Sequence, residues 1–463
     1  MLVPEISATR QLGEFAAALR YDDLPADVVA RLKACVLDAL GCCLYGVTLP
    51  WTRMLIDLVV GEGGHPQARV PGTALRTSVS QAVLIGATAG HGFEMDDIHA
   101  AAHLHCGSLA LPTALALADR HDGIDGRRLI GALAAGYEVG LRVGLAATGR
   151  LFMRGHHFQG ACGPFVAAAA AANLLALAPA AARHALGIAG SFGAGLMAAQ
   201  EGAMSKRLHS GRAAQAGVMA ADLAGRGFTG IPNVLEASYG GFLSTFSGEP
   251  DLAQLTRGLG TDWEIRNVGF KPYATAASVQ SVLFAIDRLM AENALAAGDI
   301  ARVAIHCSTM AHRHCAWPYE SAGVTAAQMN MFFAAAMMML DRNAMLDQFR
   351  EDRLEDPAAL ELIERISIEP DPKYDTGGDN TRHHARVELV ARDGRHLARE
   401  VLERPGSPGN PLSREQLERK FSTLAGAVLP ADRIPKIIAA VAALENIEAR
   451  MLTDLAIPAG QSS

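Results

Sequence analysis

Four short stretches of the chain concentrate side chains that can move protons or hold negative charge. The first runs His91-Gly92-Phe93-Glu94-Met95-Asp96-Asp97-Ile98-His99 and continues through His103, His105 and Cys106. Two adjacent carboxylates and three imidazoles fall between Asp96 and His105, in text too polar to prolong the apolar helix before it. Such a mixture can act as acid, base or metal ligand. His99, His103 and His105 have the types to ligate zinc with an aspartate in support. HxxxHxH without a distant further ligand is a weak zinc signature, however, and an acid–base or substrate site without metal is the favoured reading. The second stretch, Gly155-His156-His157-Phe158-Gln159-Gly160, opens an Ala-rich helix, and a helix N-terminus attracts anions.

The third stretch, Glu201 to Arg212, places Lys206, Arg207, His209 and Arg212 at the start of the helix AAQAGVMAADLAG. Three cations and a histidine in seven residues make an anion cradle, although a solvated helix entry uses similar text. The fourth, Gly269-Phe270-Lys271-Pro272-Tyr273, puts a cation and a phenol at an expected domain junction, where clefts bind small molecules. A plain structural loop fits that text equally well. Trp317-Pro318-Tyr319-Glu320 and His383-His384 are weaker signals of the same kind. No GxxxxGK[ST] loop, strand–GxGxxG–helix unit or GxSxG elbow occurs, so nothing calls for a nucleotide, flavin or phosphopyridoxal. No cofactor is expected.

These groups need a scaffold to bring them together. Helical text covers 25–47, 78–92, 107–121, 127–147, 160–177 and 210–225, usually with Gly or Pro between segments. Interior glycines (Gly86, Gly90, Gly136, Gly140) would each cost about 1 kcal/mol against Ala in an exposed helix. Close helix–helix approach is their expected compensation. After about residue 265 the pattern changes. Val303, Ile305 and Cys307 alternate as in a half-buried strand, as do Ile366 and Ile368, and 385–392, Asp393-Gly394 and 395–402 read as a hairpin. Helices near 276–293 and 325–341 accompany them. A loop at 404–411 precedes a return to helical text over 413–450. The expected fold is mainly α, a large all-helical domain with a smaller α+β lid domain inserted. Its segments are 1–265 and 408–463 for the helical domain and 266–407 for the lid.

Composition agrees. The 463 residues are 50% hydrophobic but only 5% aromatic, a balance that favours packed helices. Net charge is −7 with no basic run, which disfavours nucleic acid as a partner. Seven scattered cysteines without a CxxC pair read as reduced thiols in a cytoplasmic protein. The N-terminal text lacks a signal-peptide core, and the apolar stretch Val166–Ala182 reads as a buried helix with a Pro break, so a soluble protein with no membrane partner is expected.

Together the four stretches resemble the MmgE/PrpD family. The matching text is HGFEMDDIHAAAHLHCGSLALP, GYEVGLRVG, GHHFQGACGPFVAAAAAA, ALGIAGSFGAGL, MSKRLHSGRAAQAG with GFTG, FKPYA, and the closing NPLSREQLERKF. The resemblance implies a helical domain with an α+β lid, a homodimer, an interdomain active site and no required cofactor. It implies a lyase acting on a small di- or tricarboxylate by proton abstraction beside a carboxylate, first of all a 2-methylcitrate-type dehydratase. Cis-aconitate-type decarboxylation and iminodisuccinate-type epimerisation are the alternatives, and a catalytically silent binding protein is the reading from another class. Matched residue by residue, it points to Asp96, His105, His157, Lys206, His209 and Lys271, with Tyr319 near the place of a lid tyrosine.

In such chemistry charge accumulates on carboxylate oxygens, so cations must stand there beforehand. Lys206 and Lys271 suit that role, and His105 or His157, oriented by Asp96 or Asp97, suits the base. The other histidine or Tyr273 would return the proton, with His99 and Tyr319 among the substrate contacts. Relatives often carry Asp at Glu94, Thr at Ile98, and Arg or His near Ala276-Ala277. These departures point towards a substrate with fewer carboxylates or a more apolar body.

Overall fold

Apolar residues gather into two large clusters, and the chain crosses between them only a few times. The computed structural model describes residues 7–377 and 381–458, so the outermost ends of the expected helical segments lie outside it. The first cluster draws on side chains from Leu12 to Phe270 and again from Leu417 to Ala456. The second draws on Ala274 to Val401, with Cys42, Leu49, Phe93, Met95 and Leu424 reaching across to it.

The first cluster is built from helices. Pro25 starts Ala26–Gly46, whose Val28, Leu32, Cys35, Val36 and Leu40 turn inward at helical spacing. Gly126–Met153 is long and apolar enough to cross a membrane, but 94% of its apolar window is covered by the rest of the molecule. Its neighbour Gly163–Leu174 is buried at every residue. That packing depends on small residues. A Cβ on Gly140 would lie 2.1 Å from Val166 Cγ2, so only glycine permits this approach. Gly86, Gly90 and Gly136 likewise face neighbouring helices closely, which offsets the propensity cost expected of them. Ser205–Gly225 lies across both Gly163–Leu174 and Val79–Gly90. The closing helices Arg414–Ala425 and Arg433–Ala442 pack on Ala26–Gly46.

The second cluster surrounds a four-stranded sheet in the order Ile366–Pro370, Ile300–Cys307, Ala385–Ala391, His396–Val401. The first pair is parallel and the others antiparallel. Val303, Ile305, Val387 and Leu389 point into the cluster, and Gly394 closes the hairpin at φ +90°. Gln280–Glu292 packs on the last two strands. The fold is mainly α.

Two expected helices are interrupted. Within 325–341, Asn330 leaves helical geometry (φ −91°, ψ 120°) and its side chain accepts from Phe333 N, so Val324–Met329 and Met331–Asp341 are separate helices. Within 160–177, the chain breaks at Cys162 between Phe158–Ala161 and Gly163–Leu174, with Pro164 in the first turn of the second. The first break is a capping choice that overrules an apolar periodicity, whereas at the second Cys162 keeps helical φ/ψ without a side-chain cap and Pro164, which lacks an N–H, opens the new helix.

Candidate active site

The segment 91–106 connects two helices, Val79–Gly90 and Gly107–Arg120, without forming one. Glu94 and His103 adopt positive φ (56° and 55°), a conformation that ends regular structure and that packing must hold. Ile98–His99 then pairs antiparallel with Val268–Gly269, opposing Ile98 to Gly269. Gly269 is needed there, since a Cβ would lie 2.3 Å from Gly406 O. This two-residue ladder carries Lys271, two residues on, to the Asp96 carboxylate.

Glu94 is the hub of the buried charges. Lys206 Nζ and Arg207 Nη1, both from the first turn of Ser205–Gly225, donate to Glu94 Oε1, and Lys271 Nζ stands 3.6 Å from Oε2. Burial opposes ionisation of this carboxyl, but Lys206, Arg207 and Lys271 overcome it and hold it well below the usual range. Asp96 is similar. Burial would raise it, yet His105, His91 and Lys271 keep it ionised. Its Oδ2 accepts from His91 Nδ1 at 2.8 Å, while His105 Nδ1 lies 3.4 Å and Lys271 Nζ 3.5 Å from Oδ1. Gln159 donates to the His105 carbonyl, Ser108 Oγ and Ser210 Oγ, and its own oxygen accepts from His105 N. It thereby ties the His105 backbone to the helix that carries Lys206.

These groups form one wall of a cavity of about 80 Å³. Glu94, His105, His157 and Lys206 line it directly. Asp96, His91, Arg207 and Lys271 are fully buried behind that wall. The rest of the lining, partly from the second cluster, mixes the apolar Ile98, Phe152, Phe158, Met197, Ala276, Ala277 and Met329 with His103, Gln200, Ser278, His314, Arg382 and His383. Arg382 Nη1 lies 2.6 Å from His103 Nδ1, and His103 stacks on Phe158. Burial, then Lys206 and His91, push the His157 imidazole well below its ordinary pKa, and burial brings His91 to about 4. Both are therefore neutral near pH 7.

The structure thus brings His105, His157 and Lys206 to one pocket and sets Asp96 and Lys271 just behind them. His209 lies one step further back, its Nδ1 3.0 Å from His157 Nδ1. Four expected contacts are elsewhere. Asp97 points away from the pocket, accepting from Tyr137 Oη at 2.5 Å and from Gly107 N at 3.0 Å. His99 faces Glu264 at 3.3 Å and accepts from Ala102 N. Tyr273 lies in the second cluster beside Gln280, with burial raising its phenol to about 12. Tyr319 donates to Leu354 O and stacks on Phe333. Each satisfies a structural need instead of facing the cavity.

The zinc set weighed from the sequence does not assemble either, because His99 and His103 turn to Glu264 and Arg382. His91, Asp96 and His105 do place donor atoms within 4.8 Å of one another, but the Lys271 ammonium already supplies positive charge at Asp96 Oδ1. A metal ion there would meet that charge at close range in a low-dielectric interior. Sequence reasoning counted Arg207 among the cradle cations, quoted His91 and Gln159 within motifs without giving them a role, and passed over Arg382, which carries no local signal of its own.

Models of the MmgE/PrpD N-terminal and C-terminal domains match residues 10–255 and 273–446. The chain belongs to the MmgE/PrpD family. A cis-aconitate decarboxylase of Aspergillus terreus is 31% identical over 95% of this chain and 93% of its own length. A cis-aconitate decarboxylase-like protein of Aspergillus oryzae is 30% identical over 96% and 95%, and the human cis-aconitate decarboxylase 28% over 96% and 92%. Within this MmgE/PrpD chain, all the departures noted in the sequence (Glu94, Ile98, Ala276 and Ala277) fall on the pocket lining.

Proposed function

We propose that this protein is a cofactor-independent lyase that decarboxylates a small unsaturated di- or tricarboxylate of the cis-aconitate type. The observation that carries the reading is the pocket that gathers Lys206, His105 and His157 together with apolar side chains such as Phe152, Phe158 and Met329. A carboxylate held against Phe152, Phe158 and Met329 loses hydration, which favours departure as carbon dioxide. The electron pair left behind delocalises onto a carboxylate that stays, and Lys206 at the wall, with Lys271 and Arg207 behind it, opposes that growing charge. Neutral His157, or His105 beside it, then gives a ring N–H proton to carbon. Glu94 and Asp96 pre-orient the cations and His105, so that little reorganisation accompanies the step.

The full-length likeness to cis-aconitate decarboxylases supports decarboxylation over the 2-methylcitrate-type dehydration first expected from the sequence. Dehydration would use the same base and cations, and the two separate by product. Incubation with cis-aconitate, 2-methylcitrate and iminodisuccinate in heavy water tests the proposal. Release of carbon dioxide with one deuterium in the product is expected. Loss or gain of water alone, or exchange without carbon–carbon cleavage, would replace decarboxylation by dehydration or epimerisation. A cytoplasmic homodimer remains part of this reading. Sedimentation tests it, a dimer being expected and a monomer at assay concentration overturning it.

A further inference from the structure

His157 connects the pocket to a second cavity. Its Nδ1 lies 3.0 Å from His209 Nδ1, and the two rings stand 5.2 Å apart between centroids. His209 lines a separate cavity of about 860 Å³, together with Gly195, Leu196, Ala203, Ser205, Arg212 and Met219. The two cavities share no lining residue. Ala203, Ser205 and Met219 are exposed, so the second cavity opens to solvent. The imidazole pair therefore spans from the small pocket to the larger, water-accessible cavity.

We propose that His209 is a relay residue that passes protons from water in the second cavity to His157. The inference rests on the reading above that His157 protonates the substrate carbon. With both rings neutral, the His209 Nδ1–H donates to His157 Nδ1, which leaves the His157 Nε2–H for the pocket. As the carbon–carbon bond breaks and its electron pair stays on carbon, His157 gives its Nε2 proton to that carbon. His157 Nδ1 takes the proton of His209 Nδ1, and His209 Nε2 takes one from water, leaving in the second cavity a hydroxide that the released carbon dioxide can take up as bicarbonate. One solvent proton has entered the product, no net charge remains on either ring, and proton exchange of the rings with water after product release restores the starting tautomers. The charged and titratable neighbours favour neutral rings throughout. Lys206, His91 and His105 face His157, and Lys206 faces His209, which burial and that cation lower to about 4. Arg212 lines the outer cavity beside His209.

The test uses the full chain and measures carbon dioxide release. His209→Ala should lower kcat about 10²-fold in dilute phosphate with KM little changed. Added imidazole, entering the space left by the ring, should restore kcat in proportion to its concentration, while the wild type should ignore it. A raised KM without rescue, or unchanged kcat, overturns the relay. Should the variant not fold, wild-type kcat in mixtures of light and heavy water decides. A bowed dependence supports two protons moving together, and a linear or absent one overturns the proposal. Wild type that neither decarboxylates nor exchanges protons with any acid tested fails the proposed function itself. An active wild type with an equally active, imidazole-insensitive variant fails only the relay.

Discussion

Asp96 and Asp97 are neighbours in the chain and opposites in the fold. Asp96 faces His91, His105 and Lys271, which hold it ionised although it is fully buried. Asp97 faces Tyr137 and the Gly107 amide at the start of Gly107–Arg120, and burial, aided by Asp38, raises its carboxyl to about 7. The pocket side of 91–106 therefore gathers cations around its anions, whereas the core side gathers neutral donors. Burial alone does not mark a functional carboxylate. The sign of its neighbours does.

The comparison breaks most visibly on the pocket side. Lys206→Ala should lower kcat about 10²–10³-fold with a smaller change in KM, because its charge matters most as negative charge builds in the transition state. His105→Ala and His157→Ala should each be severe, and the double variant less than additive if the two act as a unit. Steady-state rates of carbon dioxide release check these outcomes. An intact rate in Lys206→Ala would move the chemistry elsewhere.

Next in size is a pH effect on the core side. Raising a carboxyl pKa from 3.8 to about 7 means that the folded state holds a proton the unfolded state has lost. The Asp97 contribution is thus fully favourable below about pH 4 and fades as pH rises through 7. The scale is on the order of 4 kcal/mol, an upper bound because relaxation softens it. His91 and His157, lowered by burial, slope the opposite way over part of this range, so wild type alone cannot isolate Asp97. Denaturant unfolding of wild type and Asp97→Asn from pH 4 to pH 8 should show the variant gaining on wild type as pH rises. A constant difference between them would mean that Asp97 is ionised throughout. Substrate turnover by the variant should stay within a few-fold of wild type, unlike that of any pocket-side change.

What was readable in advance follows the reach of the signals. Helical periodicity and the Asp393-Gly394 turn act over a few residues, and the elements they mark are present with small shifts at their ends. The motif residues His105, His157 and Lys206 were readable as chemistry because carboxylates, imidazoles and cations cluster within a few residues there. Their assembly was not, since it depends on Ile98–His99 pairing with Val268–Gly269 across some 170 residues and on Gln159 bridging two segments. Nor was the fate of Asp97, His99, Tyr273 and Tyr319, because polarity in the text does not say whether a structural partner already waits. Asn330 shows the same blindness at short range. One capping side chain ended a helix that its apolar neighbours would have continued.

The smallest expected effect is the sharpest test of that last point. Tyr319 sits in aromatic text that resembles a lid tyrosine, yet its hydroxyl donates to Leu354 O at 2.8 Å and its ring stacks on Phe333 with centroids 4.7 Å apart. It does not line the pocket. Burial raises the phenol to about 12, so it stays protonated at every pH at which the enzyme would be assayed. Tyr319→Phe keeps the stacking surface and removes one hydrogen bond to a backbone carbonyl. The cost should be about 0.5–1.5 kcal/mol in unfolding free energy, with kcat and KM both within about twofold of wild type. A structural hydroxyl has no route to the reacting carbon, so the rate should also keep its pH dependence. A loss of kcat beyond tenfold with stability preserved would show that the segment around Tyr319 rearranges around substrate and brings its hydroxyl into the pocket.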